Sequence, residues 1–316
     1  MENLLAIADL SRAQIERLLD EAATFAGTTG RVEPAPLAGA VVANLFLEPS
    51  TRTRVSFEVA AKRLGGDVVN IAAAASSVVK GETLLDTAKT LDAMGPDVLV
   101  IRHAFAGAAE YLSKRIRAAV VNAGDGQHEH PTQALLDALT IRKAKRTLQR
   151  KVITIVGDIR HSRVARSGIQ CFAKLGAHVR VCGPATLIPP GIEKLGCTVV
   201  PGIEKAVKGA DVVMCLRIQN ERMTEAFVAS PREYATGWRL NAERLALARP
   251  DAIVMHPGPM NRGVEITGEV ADSPQSVITD QVEHGVMVRM AVLRTLVAHR
   301  RGAKVARPRL IGGGGG

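Results

Sequence analysis

Short apolar runs alternate with stretches of helical periodicity through most of this chain, and that alternation predicts an α/β fold on parallel sheets flanked by helices. In the first half the pattern predicts a helix over Arg12–Phe25 and strands near Ala40–Leu47, Val68–Ile71 and Asp97–Ile101, with helices between them such as Gly81–Met94. The run Arg142, Lys143, Lys145, Arg146, Arg150, Lys151 then reads as a charged break. Beyond it come strands at Val152–Val156, His178–Cys182, Cys197–Val200, Asp211–Leu216 and Ala252–Met255, with a helix ending at Gly176 and a short helix before Asp211. In such sheets ligands sit past the carboxyl ends of the strands. Arg163, Arg217 and the segment His256–Pro259 all fall just past predicted strands, which gathers two arginines at one rim.

Two segments carry polar chemistry at a predicted helix start. Pro49 ends the first apolar strand, and Phe57, Ala60 and Leu64 then recur at helical spacing until Gly65 and Gly66. Between them stand Ser50, Thr51, Arg52, Thr53 and Arg54. A helix start offers unpaired N–H groups and the positive end of its dipole, so an anion there meets backbone, hydroxyl and guanidinium donors together. The plainer reading is a Ser/Thr helix cap with solvated arginines; a second arginine and threonine straight after a buried strand favour the anion socket. The second segment is His130, Pro131, Thr132, Gln133, after the turn-rich Gly124, Asp125, Gly126. Pro131 suits a first helical turn, which sets His130 just outside the helix.

Composition narrows the alternatives. With 316 residues and 47% hydrophobic content the chain can bury one large core or two ordinary ones. No basic-then-apolar leader pattern and no membrane-length apolar run occurs, so a soluble cytoplasmic protein is expected. Cys171, Cys182, Cys197 and Cys215 lack paired Cys-x-x-Cys spacing, which argues against a zinc site or disulfide framework. The formal charge of +10 raises a nucleic-acid reading, but the basic clusters carry no interleaved aromatics and Phe, Trp and Tyr total 3%. A dinucleotide site is disfavoured too: after Val156, Gly157, Asp158 the residues Ile159, Arg160, His161, Ser162 lack the second and third glycines that admit a pyrophosphate.

Phe46–Arg54, Ser76–Thr83 and Asp125–Asp137 resemble the carbamoyl phosphate half of the aspartate/ornithine carbamoyltransferase family. Gly157–Arg166, Arg217–Arg222 and His256–Gly263 resemble its aspartate branch; the cysteine and the Ser-Met-Gly motif typical of the ornithine branch are absent. The resemblance implies two α/β domains, residues 1–136 with 286–316 for carbamoyl phosphate and residues 137–285 for aspartate, and a C-terminal helix over Gln281–Ala298 returning to the first domain. It implies carbamoyl transfer to L-aspartate without cofactor or metal. By motif position, Ser50, Thr51, Arg52, Thr53 and Arg102 would bind the phosphate, with Thr53, Arg102 and His130 reaching the carbonyl oxygen. Gln133 and the carbonyls of Pro257 and Gly258 would hold the carbamoyl amine, and Arg163, Arg217 and Gln219 the aspartate carboxylates. Ser76 and Lys80 would reach a neighbouring subunit's site in a homotrimer. Regulatory or dihydroorotase-like partner chains stay open at this point, while nucleic-acid and membrane partners are not expected.

Overall fold

The structure is a computed structural model that describes residues 1–72, 81–218 and 230–302. The described residues fall into two compact units, one within residues 1–132 and 285–302, the other within residues 133–284.

The first unit holds a parallel sheet of β1 (Val41–Phe46), β2 (Asp67–Ala72), β3 (Val98–His103) and β4 (Ala119–Asp125), in the order β2-β1-β3-β4, with α1 (Arg12–Ala23), α2 (Thr51–Arg63), α3 (Leu84–Ala93) and α4 (Ala108–Ser113). Ala43, Leu45, Leu99, Ile101 and Val120 point to one face and pack with Ala88 of α3 and Ala109 and Leu112 of α4. Val42, Val98, Val100 and Val121 on the opposite face are equally buried. A sheet covered on both faces needs apolar residues at consecutive positions, which is why these strands read as runs and not as alternations. Strand β4 is missing from the sequence-based expectation, because Asn122, Ala123 and Gly124 dilute its apolar signal. Its order comes from pairing: Leu4 donates to Val120 O (2.9 Å) and accepts from Asn122 N–H (2.9 Å), covering the outer edge.

The second unit opens with most of α5 (Pro131–Lys145) and contains β5 (Val152–Val156), α6 (Arg163–Lys174), β6 (His178–Cys182), β7 (Cys197–Val199), α7 (Ile203–Val207), β8 (Val212–Cys215), α8 (Pro231–Trp238), α9 (Ala242–Leu245), β9 (Ile253–Met255) and α10 (Gly268–Ala271). Its parallel sheet runs β7-β6-β5-β8-β9. The charged run expected as a break is helical as far as Lys145, since Arg142, Lys143 and Lys145 occupy the last turn of α5, where the helix dipole favours cations. The closing helix α11 spans Ile278–Arg300. Its residues from Gly285 onward belong to the first unit: Arg289 donates to Ser56 Oγ (2.9 Å) and lies 5.0 Å over the Phe57 ring, and Arg294 pairs with Glu21 of α1. Among the described residues no helix is long and apolar enough to cross a membrane.

Each strand order contains one reversal of winding direction. In the first unit it lies between β1 and β3, in the second between β5 and β8. At such a point the two following connections leave on opposite faces and open a crevice beyond the strand ends. Phe46 is in register with Arg102, and Val156 with Cys215, so the crevice of each unit is bordered by the segments that carry its arginines.

Candidate active site

In the first unit, Ser50 precedes α2 in extended conformation, yet its hydroxyl does not cap the helix; it donates instead to Thr53 Oγ1 (3.0 Å). Ser11, Thr83, Ser162 and Ser230, by contrast, all cap their helices. The first turn of α2 carries no acidic residue but does carry Arg52 and Arg54, a placement the helix dipole disfavours and an anion would reverse. Thr53 is buried, Ser50 half-buried, and Thr51 and Arg52 exposed. The helix is anchored from behind by Phe57, and laterally by Asn44 donating to Asn70 Oδ1 and Asn70 donating to Glu58 Oε2, both at 2.9 Å.

Arg102 enters from β3 at an irregularity: between Ile101 and His103 the pairing with β4 shifts by one residue. There Arg102 Nη1 donates to Ala123 O (3.3 Å) while Nη2 pairs with Glu48 Oε1 at 2.7 Å. Glu48, in the connection from β1 to α2, is a partner that sequence reading did not assign to Arg102, 54 residues away. His130 is buried immediately before α5. The loop that delivers it is organised by Asp125, which accepts from Asn122 Nδ2 (2.9 Å), the Gly107 N–H (2.7 Å) and the Glu129 N–H (3.1 Å), and meets His128 Nδ1 at 3.2 Å. Burial alone would raise the Asp125 pKa, but the bonds from His128, Asn122 and Gly107 outweigh it and hold the carboxyl below its ordinary 3.8. A Gly-Asp-Gly turn was the only trace of this clamp in the sequence.

In the second unit, Gly157 ends β5 at φ +131°, a conformation that favours glycine, and a Cβ there would stand 3.0 Å from the Tyr234 hydroxyl. The buried Asp158 then accepts from the His161 N–H (3.0 Å) and ring Nδ1 (2.9 Å), which closes the turn leading to α6. Ser162 accepts from Ala165 N–H, and Arg163 follows as the first residue of α6, only 3% exposed. A cation in the first turn of a helix opposes the dipole, and an anionic ligand there would reverse that effect. Arg217 lies half-buried two residues past β8. After β9, Pro257 and Gly258 are half-buried; Gly258 has φ +64° and donates its N–H to His256 Nδ1 (2.8 Å), so His256 shapes that turn. Gln133, nearly buried in the first turn of α5, falls within the second unit. Ser76, Lys80 and Gln219 lie outside the described residues.

The four cysteines are free and buried, and burial pushes the Cys197 thiol up to about 11 and Cys182 to about 12, so neither supplies a thiolate at neutral pH. Among the described residues no group of three or more His, Cys, Asp or Glu is arranged to hold a metal ion.

Residues 2–143 match the family domain described as aspartate/ornithine carbamoyltransferase, carbamoyl-P binding domain, and residues 149–296 match the corresponding Asp/Orn binding domain. The chain is 58% identical over 301 residues to an aspartate carbamoyltransferase catalytic subunit of Mesorhizobium japonicum, covering 95% of this chain and 92% of that protein. It is 60% identical over 298 residues to the protein of the same name in Sorangium cellulosum, covering 94% and 93%. Among solved structures, aspartate transcarbamoylase from Trypanosoma cruzi in complex with carbamoyl phosphate superposes with a TM-score of 0.83 at 31% identity, covering 93% of this chain and 96% of that one. Ornithine carbamoyltransferase from Pyrococcus furiosus gives 0.85 at 30% identity, covering 94% and 97%. Fold similarity therefore does not separate the two branches; sequence similarity points to the first.

Proposed function

The chain belongs to the aspartate/ornithine carbamoyltransferase family, and on that footing we propose that it transfers the carbamoyl group of carbamoyl phosphate to the α-amino group of L-aspartate, giving N-carbamoyl-L-aspartate and phosphate, a step of de novo pyrimidine biosynthesis. The observation that carries this reading is identity of well over half along nearly the whole chain to proteins named for the aspartate reaction. The crevice-bordering Arg163 and Arg217 support it, because planar guanidinium forks suit a dicarboxylate amine better than a diamine such as ornithine.

Ser50, Thr51, Arg52, Thr53 and Arg102 are the phosphate ligands. Arg102 is paired with Glu48 in the structure, so a phosphate dianion competes with that carboxylate for the guanidinium. Thr53, Arg102 and His130 donate to the carbonyl oxygen, whose negative charge grows as the aspartate amine attacks the carbonyl carbon. The tetrahedral intermediate collapses with loss of phosphate, and no enzyme nucleophile takes part. Gln133 and the carbonyl oxygens of Pro257 and Gly258 accept from the carbamoyl NH2, while Arg163, Arg217 and Gln219 orient aspartate by its carboxylates. The working form is a cytoplasmic homotrimer in which Ser76 and Lys80 complete a neighbouring chain's site, a reading carried by the family resemblance of Ser76–Thr83.

N-(phosphonacetyl)-L-aspartic acid joins a phosphonate to an aspartate, and the same Trypanosoma cruzi enzyme has been solved with it. The compound is expected to inhibit this protein competitively with carbamoyl phosphate and more tightly than either substrate binds. Absence of inhibition at concentrations that saturate either substrate would contradict the assignment.

A further inference from the structure

A chain of buried hydrogen bonds joins Gln133, Asp137, Gln281, His256 and Gly258 within the second unit. Asp137, fully buried in α5, accepts at Oδ1 from the amide nitrogens of Gln133 (3.0 Å) and Gln281 (2.7 Å). Gln281, in the first turns of α11, accepts at Oε1 from the His256 N–H (2.9 Å), and His256 Nδ1 accepts from the Gly258 N–H (2.8 Å). With Nδ1 an acceptor, the ring proton sits on Nε2 and is donated to Glu265 Oε1 at 3.2 Å. Glu265 also accepts from the Asn261 N–H (2.7 Å), so the turn after β9 is held from both sides.

Asp137 Oδ1 accepts from both amides, so each turns its NH2 inward and its oxygen away. For Gln281 the outward oxygen goes to the His256 N–H. For Gln133 the same rule makes Oε1 the end offered to a ligand. A carbamoyl group terminates in NH2, a donor; an acetyl group terminates in a methyl of similar size with nothing to donate. An acceptor at Gln133 stabilises the first and is indifferent to the second, whereas an outward NH2 would oppose the carbamoyl group alone.

We infer that Asp137 is a specificity-determining positioning residue: by fixing the amide of Gln133 with its oxygen outward, it makes the site select carbamoyl phosphate over acetyl phosphate. The inference rests on the carbamoyl phosphate reading given above. Asp137→Leu keeps the branched shape of the side chain but removes the acceptor that both amides share, so nothing holds the Gln133 NH2 inward. Asp137→Glu keeps a carboxylate and therefore the amide orientation.

Titration calorimetry of the full-length protein with carbamoyl phosphate and with acetyl phosphate tests this, with circular dichroism to establish that each variant is folded. The wild type is expected to prefer carbamoyl phosphate. Asp137→Leu is expected to weaken carbamoyl phosphate by about tenfold or more and acetyl phosphate by less than about threefold. Equal weakening of both, or no change in either, overturns the inference, since a merely structural role would not distinguish NH2 from CH3. Should Asp137→Leu not fold, Asp137→Glu carries the test: it is expected to keep the wild-type preference, and loss of that preference overturns the inference. A wild type that binds both acyl phosphates equally refutes the role of Asp137 and leaves the carbamoyl phosphate reading intact; a wild type that binds no carbamoyl phosphate refutes both.

Discussion

Arg52 was legible in the sequence because hydroxyls and a second arginine gather with it at a predicted helix start, and Arg163 because it falls just past a predicted strand, whereas Arg102 came only from the family resemblance. What sequence could not supply were their partners. Glu48 for Arg102 and the donors to Asp125 depend on register between strands, and no spacing rule reaches across it. Asp125 makes a test at this scale. Its folded pKa lies below the ordinary 3.8, so the stability it contributes is fully present above that value and is lost as pH falls through the lower folded value. Asp125→Asn is expected to lower unfolding free energy at neutral pH by about 1–3 kcal/mol, with the difference from wild type shrinking below pH 3.8. Urea denaturation at several pH values measures it. A difference that stays constant down to strongly acidic pH would show that the carboxylate charge is not what organises the His130 loop.

At the scale of elements, strands rich in β-branched residues were readable, and the structure places β5 at Val152–Val156 and β6 at His178–Cys182, where the sequence predicted them. Strand β4 was not, since its pairing and not its composition makes it a strand. Neither was the strand order, which alone decides where each crevice opens. Packing between the segments that follow β5 and β6 is similarly invisible in sequence: a Cβ on Gly183 would stand 2.3 Å from the Gly157 carbonyl oxygen, a backbone atom that cannot move without shifting the Asp158–Arg163 turn. Gly183→Ala is therefore expected to cost about 1–3 kcal/mol of stability and to raise the aspartate KM several-fold with little change for carbamoyl phosphate. Denaturation and steady-state kinetics together report it. Unchanged stability and unchanged aspartate KM would mean that the turn is not held by this contact.

For the whole molecule, the family resemblance and the division into two units were both legible, whereas assembly rests on residues outside the described structure. If sites are shared in a homotrimer, Arg52→Ala and Lys80→Ala preparations, each nearly inactive, should recover activity when dissociated, mixed and reassembled. Hybrids shown to form without recovery would exclude sharing. The account's central claim concerns the amine that receives the carbamoyl group, and one assay addresses it: carbamoyl phosphate supplied with L-aspartate and, in parallel, with L-ornithine, with the carbamoylated product and phosphate both quantified. The expected result is stoichiometric N-carbamoyl-L-aspartate and phosphate, with kcat/KM for aspartate at least about a hundredfold above that for ornithine. Equal or greater carbamoylation of ornithine, or phosphate release without carbamoyl aspartate, would contradict it.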